Sequence, residues 1–345
     1  MMWVKFALAF LLLLVCVYFI FPDNYLKSSN KNIARQTTSY LEPYQFEDSN
    51  KFNNLYNCLE NYKTLDIVSA KKHSYNFFVA GHAYGRSSED ISTGLYPKFY
   101  DNLREINNIQ SIDFIVLTGD VVKHSTIKSW NIVKNQLSSL GIKTYIAPGN
   151  HDVGVGEDNP KRDVFKSMFG ETYYYFYHKK DLFIVLDPNI DNGNISGNQL
   201  RFLNNLLKIK QKVNNIFVFA HQVIWYSDFF DGIVPNNYYP DPDVLWNDGT
   251  APTLSSTTNY WSIIAPLLEN QKVRKPMQFV FSQKTIDVYL IVGDVGDKIN
   301  GSPLFCADKK NIKYIASGMG SGRGDNYLSV QVVDGIVSIM PVFLP

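Results

Sequence analysis

The chain has 345 residues, 45% of them hydrophobic and 19% charged, a composition typical of a folded globular protein with a sizeable core. Its formal net charge of +1 gives no electrostatic reason to expect nucleic acid as a partner, so a nuclease is disfavoured. The three cysteines, at positions 16, 58 and 306, are compatible with one disulfide between the last two or with two buried thiols.

The N-terminal segment differs in kind from the rest of the chain. Residues 6–21 form an unbroken apolar run that follows Lys5 and ends at Pro22. As a helix this run would be roughly 24 Å long, slightly less than the ~30 Å hydrocarbon core of a bilayer. No small-x-small cleavage site follows it. We therefore expect residues 1–21 to be a single-pass membrane anchor, with a cleaved signal peptide as the alternative.

Residues 22–50 are polar and rich in Asn, Ser and Lys, which predicts a tether, so we expect residues 22–70 to be the tether and lead-in between the membrane and a folded domain. The positive charges do not favour export, since Lys5 precedes the apolar run and Lys27, Lys31 and Arg35 follow it. The position of the run at the extreme N-terminus does favour export. We expect the domain to lie outside the cytoplasm.

From residue 71 to 345, short apolar runs alternate with amphipathic stretches, which predicts one α/β domain with a buried sheet. The predicted strands are 75–80, 114–118, 143–147, 173–177, 182–186, 216–220, 288–292, 312–317 and 328–333. The predicted helices are 97–107, 127–140, 162–169, 198–209 and 260–269. Gly141 stands where the second helix should end on a left-handed cap.

Residues 222–259 interrupt this alternation with a long segment rich in Pro, Asp, Asn and aromatic residues. A loop of this length inside a compact domain is usually functional or disordered, and its aromatic content argues against disorder. Because the segment directly follows His221, it would overhang the crevice described next. Two interpretations stay open: Trp225 and Tyr226 stack on a substrate, or the aromatics pack beneath the loop as a small core.

Metal-competent side chains follow five predicted strands. They are His82, Asp120, Asn150, His151, Asp152, His221 and Asp294. Ligands of α/β sheets bind beyond the carboxyl ends of strands, and divalent cations take carboxylate, amide and imidazole ligands. A lone Gly-Asp is a common turn, and a lone histidine can belong to a core. The combination at five strand ends predicts a metal site.

The sequences Gly119-Asp120, Gly149-Asn150-His151-Asp152 and His221 resemble conserved blocks of calcineurin-like metallophosphoesterases. The resemblance covers roughly residues 75–340. It implies a four-layer α/β/β/α sandwich of two mixed sheets. It also implies one or two divalent ions (Mn, Zn or Fe) that activate water for attack on a phosphoester.

The resemblance assigns a role to each matching position. Asp120 resembles the carboxylate that bridges two metals, Asn150 and His221 resemble ligands of the second metal, and Asp294 can replace a histidine there. His82 would bind the first metal. His151 resembles the histidine that protonates the leaving group or stabilises the transition state. Asp152 would orient His151 through a hydrogen bond.

Two positions depart from the family pattern. Ala80 stands where the Asp-x-His block has its aspartate, and Gly296 stands where the Gly-His-x-His block has its second histidine. The second metal keeps four ligands, whereas the first keeps only His82 and Asp120. Either one metal suffices, or Asp297 or Asp325 completes the first site, or catalysis is lost.

We also expect no iron–tyrosinate centre, because Lys123 stands where purple acid phosphatases have a tyrosine ligand.

Taken together, these features predict a membrane-anchored metal-dependent phosphoester hydrolase that acts on a phosphorylated small molecule, glycan or lipid. The alternative is a non-catalytic ligand-binding or assembly protein at the membrane.

Overall fold

The computed structural model describes residues 74–85, 94–109, 111–210, 212–225, 258–276, 281–295, 304–320 and 324–345. The chain divides into two units, Met1–Pro43 and Tyr44–Pro345, and the described residues all belong to the second. None of the helices in the described part is both long and apolar enough to cross a membrane. The predicted anchor, tether and most of the aromatic loop lie outside the described residues.

The first sheet has five strands in the order β13-β12-β1-β2-β3. Strands β1 (Ser74–Ala80), β2 (Phe114–Leu117) and β3 (Lys143–Ile146) are parallel, while β12 (Asn326–Val333) and β13 (Ile336–Phe343) are added antiparallel. The parallel strands are joined by α1 (Pro97–Ile109) and α2 (Ile127–Leu140). Two shorter helices follow β3, namely α3 (Asn150–Val153) and α4 (Pro160–Phe169).

The second sheet has six strands in the order β10-β11-β9-β6-β5-β4. Its centre is parallel and consists of β5 (Asp181–Val185), β6 (Asn215–Ala220), β9 (Asp287–Val292) and β11 (Ile312–Ser317). The edges β4 (Tyr174–His178) and β10 (Leu304–Lys309) are antiparallel. Helix α5 (Gly197–Ile209), a π-helical turn (Tyr260–Ile264) and α6 (Ala265–Glu269) connect these strands, and β7 (Lys272–Pro276) pairs with β8 (Phe281–Thr285) as a separate hairpin.

Three layers of buried apolar side chains separate the four layers of secondary structure. The layer between the sheets is aromatic: the ring centroids of Phe183 and Phe217 lie 4.9 Å apart, and Phe77 meets Phe217 edge to face at 5.3 Å. The outer layers lie between one sheet and α1, α2 and α4, and between the other and α5 and α6. The predicted sandwich of two mixed sheets is confirmed.

Helix α2 shows how the sequence places such a layer. Its buried residues are spaced by three and four positions, so they form one face: Trp130, Val133, Leu137 and Leu140. The Thr126 side chain accepts a hydrogen bond from Ser129 N at the start of the helix. Gly141, with a φ of 66°, ends it in the predicted left-handed conformation.

One buried polar link joins the sheets at the end where the parallel strands begin. The Tyr75 hydroxyl of β1 donates to Asp181 Oδ2 of β5 at 2.6 Å. Asp181 Oδ1 accepts from both the backbone and the side-chain nitrogen of Asn215. Burial raises the pKa of Asp181, and these three donors partly offset that effect.

Candidate metal centre

The carboxyl ends of four parallel strands deliver two histidines and two aspartates to the same edge of the sandwich. His82 follows β1, Asp120 follows β2, His221 follows β6 and Asp294 follows β9. His221 Nε2 lies 3.3 Å from Asp120 Oδ1 and 3.5 Å from Asp294 Oδ1. His82 Nε2 lies 3.6 Å from Asp120 Oδ2. Asp120 therefore stands between the two histidines, with one carboxylate oxygen facing each.

The backbone at this edge is held in sparsely populated conformations. His82 and Asp120 both have positive φ angles, 52° and 50°, which are uncommon for residues with a side chain. His82 N donates to the Gly119 carbonyl, so the two loops hold each other in place. Strained residues of this kind cluster at functional sites because the surrounding structure must enforce them.

Gly149 and α3 complete the surroundings of Asp120. A Cβ on Gly149 would lie 2.1 Å from Asp120 Oδ1, so only glycine allows this approach. The backbone N–H of His151 donates to the same oxygen at 3.0 Å. Asn150 is the first residue of α3, next to these contacts.

His221 has the environment of a metal-binding imidazole. Its Nδ1 donates to the Thr118 carbonyl at 2.9 Å, which keeps a proton on Nδ1, so Nε2 is the nitrogen that can bind a cation once it has lost its own proton. That buried Nε2 has no hydrogen-bond partner. Two ligands about 2.1 Å from one ion stand roughly 3.0–3.4 Å apart at octahedral or tetrahedral angles. The separations of His221 from Asp120 and Asp294 are close to this range, so these residues fit a divalent cation.

The candidate ligands do not form a complete metal-binding site in this structure. Among the described residues, no group of three or more His, Cys, Asp or Glu side chains has the geometry to hold a metal ion as it stands. The candidate ligands instead form close pairs: Asp120 with His82, Asp120 with His221, and His221 with Asp294. Any complete set would need the Asn150 amide or a small closure of the loops.

The charges of the cluster are strongly coupled. Burial disfavours the charged imidazole of His221, but the carboxylates of Asp120 and Asp294 outweigh it and raise its pKa to about 10. Burial acts to raise the pKa of Asp120, yet the facing histidines hold it well below its usual range. Burial also raises the pKa of Asp294, against the opposing charge of His221. A cation that binds here displaces protons from these groups.

His151 is the most accessible member of the cluster, with 36% of its side chain exposed. Its Nδ1 lies 2.9 Å from the Lys123 carbonyl, and its Nε2 lies 4.0 Å from Asp120 Oδ2. The ring of Tyr84, which the sequence did not single out, stands between His151 and His82, at centroid distances of 5.3 and 4.5 Å. The spacing of two residues between His82 and Tyr84 is the only sequence signal for this neighbour.

The prediction that Asp152 orients His151 is wrong. Asp152 is fully buried and accepts hydrogen bonds from the backbone N–H groups of Val121, Val122 and Gly149. The Lys123 carbonyl takes the place expected for Asp152. Burial and the charge of Asp120 raise the pKa of Asp152 to about 7, although the amides lower it. Asp152 therefore ties the loop after β2 to the loop after β3.

A second buried network, not anticipated from the sequence, supports the loop before α3. Asn189 Nδ2 donates to the Pro148 carbonyl at 3.0 Å and to Asp187 Oδ1 at 3.0 Å. Asp187 also forms a short ion pair with Arg162, whose Nη1 in addition bonds Thr172. The only sequence signal for this network is the aspartate that directly follows the apolar strand residues 182–186.

Of the two positions that depart from the family pattern, Ala80 lies among the described residues and Gly296 does not. Ala80 is fully buried at the end of β1, and no carboxylate stands at this position. Gly296 and Asp297 lie outside the described residues. Asp325 Oδ1 accepts from Gly320 N in the connection between β11 and β12.

The start of the aromatic loop packs into the protein. Trp225 is only 3% exposed, and its ring meets Tyr314 at 5.3 Å and Phe305 at 6.1 Å. For Trp225 the packing interpretation is therefore correct, and stacking on a substrate is not. The chain re-enters at Thr258, whose Oγ1 donates to the Ile224 carbonyl at 2.7 Å. Residues 226–257, including Tyr226, lie outside the described residues.

The sequence profile of the calcineurin-like phosphoesterases matches residues 73–318, more than half of the chain. The chain belongs to the calcineurin-like phosphoesterase family. Members of this family typically depend on two metal ions. The match covers all four strand ends that carry His82, Asp120, His221 and Asp294.

The chain is 27% identical over 94 residues to a probable glycerophosphodiester phosphodiesterase GpdQ of Arcobacter nitrofigilis, across 27% of this chain and 31% of that protein. Its fold is similar to that of the purple acid phosphatase PPD1 from seeds of yellow lupin (Lupinus luteus), with a TM-score of 0.53 and 12% identity over 78% of this chain and 52% of that one. The NAD nucleotidase of Haemophilus influenzae gives a TM-score of 0.39 at 11% identity, over 79% and 50% of the two chains. The chain thus spans about a third to a half of these relatives.

Proposed function

We propose that this chain is a metal-dependent phosphoester hydrolase whose metal is held by Asp120, Asn150, His221 and Asp294. The observation that carries the proposal is the buried, unpartnered Nε2 of His221 facing two carboxylates. Family membership gives the reaction class. His82, with the second oxygen of Asp120, forms the remnant of another metal position.

The side chains of the site would have different roles in phosphoester cleavage. A divalent ion bound here would polarise the phosphoester and lower the pKa of a water molecule. Asp120 holds the two halves of the site at a fixed spacing, because each oxygen faces a different histidine. His151 donates from Nδ1 to the Lys123 carbonyl, and the Nε2 of this partly exposed side chain would give a proton to the leaving-group oxygen.

Ala80 favours a second candidate function, a non-catalytic ligand-binding or assembly protein. A buried methyl group replaces the carboxylate that the first metal position has in the family. A protein of this kind would keep its ligand when His151 is changed, whereas a hydrolase would lose turnover.

The test uses the full-length protein purified in detergent without chelators. Metal content is measured by elemental analysis, and turnover is measured on 4-nitrophenyl phosphate and bis(4-nitrophenyl) phosphate. We expect Asp120→Asn to lose both metal and turnover, and His151→Ala to keep metal but lose about 10²–10⁴-fold in kcat. His124→Ala, an exposed histidine close in sequence, is the matched control. A metal-loaded wild type without turnover on any phosphoester would favour the second candidate.

We further infer that residues 1–21 anchor the domain outside the cytoplasm and that its substrate is a phosphorylated small molecule, glycan or lipid headgroup. Cys306 is disulfide-bonded, and disulfides persist mainly in oxidising compartments. Protease accessibility in intact and lysed expressing cells tests the location. If the domain is digested only after the plasma membrane has been lysed, its proposed location outside the cytoplasm is contradicted.

A further inference from the structure

The end of the fold opposite the metal centre carries the two most exposed large hydrophobic side chains of the described residues. Ile209, the last residue of α5, is 77% exposed, and Ile336, the first residue of β13, is 71% exposed. Exposed lysines belong to the same region: Lys179, Lys180, Lys208 and Lys212. We call these two isoleucines and four lysines the basal patch.

Hydrogen bonds join the three connections that carry the basal patch into one surface. Asn214 N donates to the Lys180 carbonyl at 2.8 Å, which links the β4–β5 turn to the α5–β6 connection. Asn215 Nδ2 donates to the Gly335 carbonyl at 3.1 Å, which adds the β12–β13 turn. The two isoleucines therefore project from neighbouring turns that are fixed to each other.

The basal patch is positively charged. Asp334, in the β12–β13 turn, is an exposed carboxylate beside it. Asp113, just before β2, is a second exposed carboxylate, 3.8 Å from His178 Nε2. Two further acidic residues at this end are paired with lysines outside the patch: Asp287 lies 3.8 Å from Lys284 Nζ, and Glu269 pairs with Lys310 at 2.5 Å. Four lysines against Asp334 and Asp113 leave a net charge of +2, although the whole chain carries only +1.

The chain enters the fold at this same end. β1 begins at Ser74, which pairs with Val333 immediately before the β12–β13 turn. In the sequence, residues 1–73 precede this strand, and they include the apolar run 6–21. Exposed aliphatic tips next to lysines suit an interface that is apolar inside and anionic at its surface.

We propose that the basal patch docks on an anionic lipid bilayer, with Ile209 and Ile336 inserted among the headgroups and the lysines facing lipid phosphates and carboxylates. The metal centre, at the opposite edge, then faces away from that bilayer. The proposal does not depend on phosphoester hydrolysis, and its test involves neither metal nor turnover.

The test measures how fast individual lysines of the full-length protein are acetylated, by mass spectrometry, on vesicles of phosphatidylcholine with or without phosphatidylserine. We expect the four patch lysines to react about fivefold more slowly on the anionic vesicles, and the protection to vanish at high salt. Lys128, exposed at the start of α2 on the opposite end, should react equally on both. Equal rates for the patch lysines on both vesicles, or protection of Lys128, would overturn the proposal.

Two variants separate lipid docking from general attraction to polyanions. Ile209→Ser with Ile336→Ser should lose most of the protection on anionic vesicles, because the inserted apolar tips are gone. Ile127→Ser, at a position 61% exposed on the other end, should keep it. Protection that survives the double substitution, or that a short DNA duplex reproduces without vesicles, would show that the patch does not recognise a bilayer.

Discussion

At the scale of single residues, the close approach of Gly119 to His221 sets the position of the His221 imidazole. Gly119 has a φ of 86°, and a Cβ there would lie 2.4 Å from the His221 ring. We expect Gly119→Ala to displace the ring and lower the affinity for Mn²⁺ or Zn²⁺ about tenfold or more, measured by equilibrium dialysis. Gly141→Ala is the matched control, because its φ of 66° gives similar strain and a Cβ there meets nothing within 4 Å. Equal affinities in the two variants would contradict this role of Gly119.

The buried pair of Arg162 and Asp187 leads to a second expectation. Arg162→Met leaves the Asp187 carboxylate buried without its cation, which should cost about 3–5 kcal/mol of unfolding free energy in urea titrations. Arg162→Met combined with Asp187→Leu should cost less, since no lone charge remains. The exposed pair Arg104–Asp101 supplies the control, and Arg104→Met should cost about 0–1 kcal/mol. A double variant as unstable as Arg162→Met would contradict this account.

The sequence could predict which residues approach Asp120, but it could not predict all of their contacts. Parallel strands bring their carboxyl ends to one edge, so the grouping of His82, His221 and Asp294 follows from the strand pattern. The bonds of Asp152 do not follow from it. They depend on backbone amides of a loop about 30 residues earlier, whose direction is set by the left-handed turn at Asp120.

At the scale of elements, the apolar central strands were predictable, and so were the edge strands β3 and β4, whereas β10, β13 and the hairpin of β7 and β8 were not. Central strands such as β5 and β6 are continuous apolar runs because both faces are covered. β13 is half-exposed and contains Pro341, and the hairpin of β7 and β8 is polar, so neither shows such a run. The predicted helix at 260–269 begins as a π-helical turn, which spacing alone does not reveal.

The link between the sheets gives a pH-dependent expectation. Tyr75→Phe removes a donor to Asp181, so the already raised pKa of Asp181 rises further. A carboxyl whose folded pKa exceeds its unfolded pKa loses stability as pH rises through the folded value. The loss in unfolding free energy should therefore be small near pH 4 and reach about 1.5–3 kcal/mol at pH 7. Tyr100→Phe, whose hydroxyl meets Ser139 at the surface, should show no such trend. A loss that is constant between these pH values would contradict the expectation.

At the scale of the whole molecule, metal binding should appear as thermal stability. A cation that binds only the folded state adds about 2.7 kcal/mol at a hundred times its Kd, which corresponds to a rise in Tm of roughly 5 °C. We expect this rise with Mn²⁺ or Zn²⁺ in scanning calorimetry, its reversal by a chelator and its absence in Asp120→Asn. His124→Gln should keep it. If no divalent cation changes the Tm of the wild-type protein, the proposal of a metal site is contradicted.

The hydrogen bond between Thr258 and Ile224 also bears on how this protein can diversify. It places the departure and the return of residues 226–257 side by side, as the two ends of a hairpin would be. The intervening stretch is thus a cassette: shortening it or exchanging it changes no strand order, and the entropy of closing a loop varies only slowly with its length. Selection can change the sequence of residues 226–257 while the strand ends that carry His82, Asp120, His221 and Asp294 stay as they are.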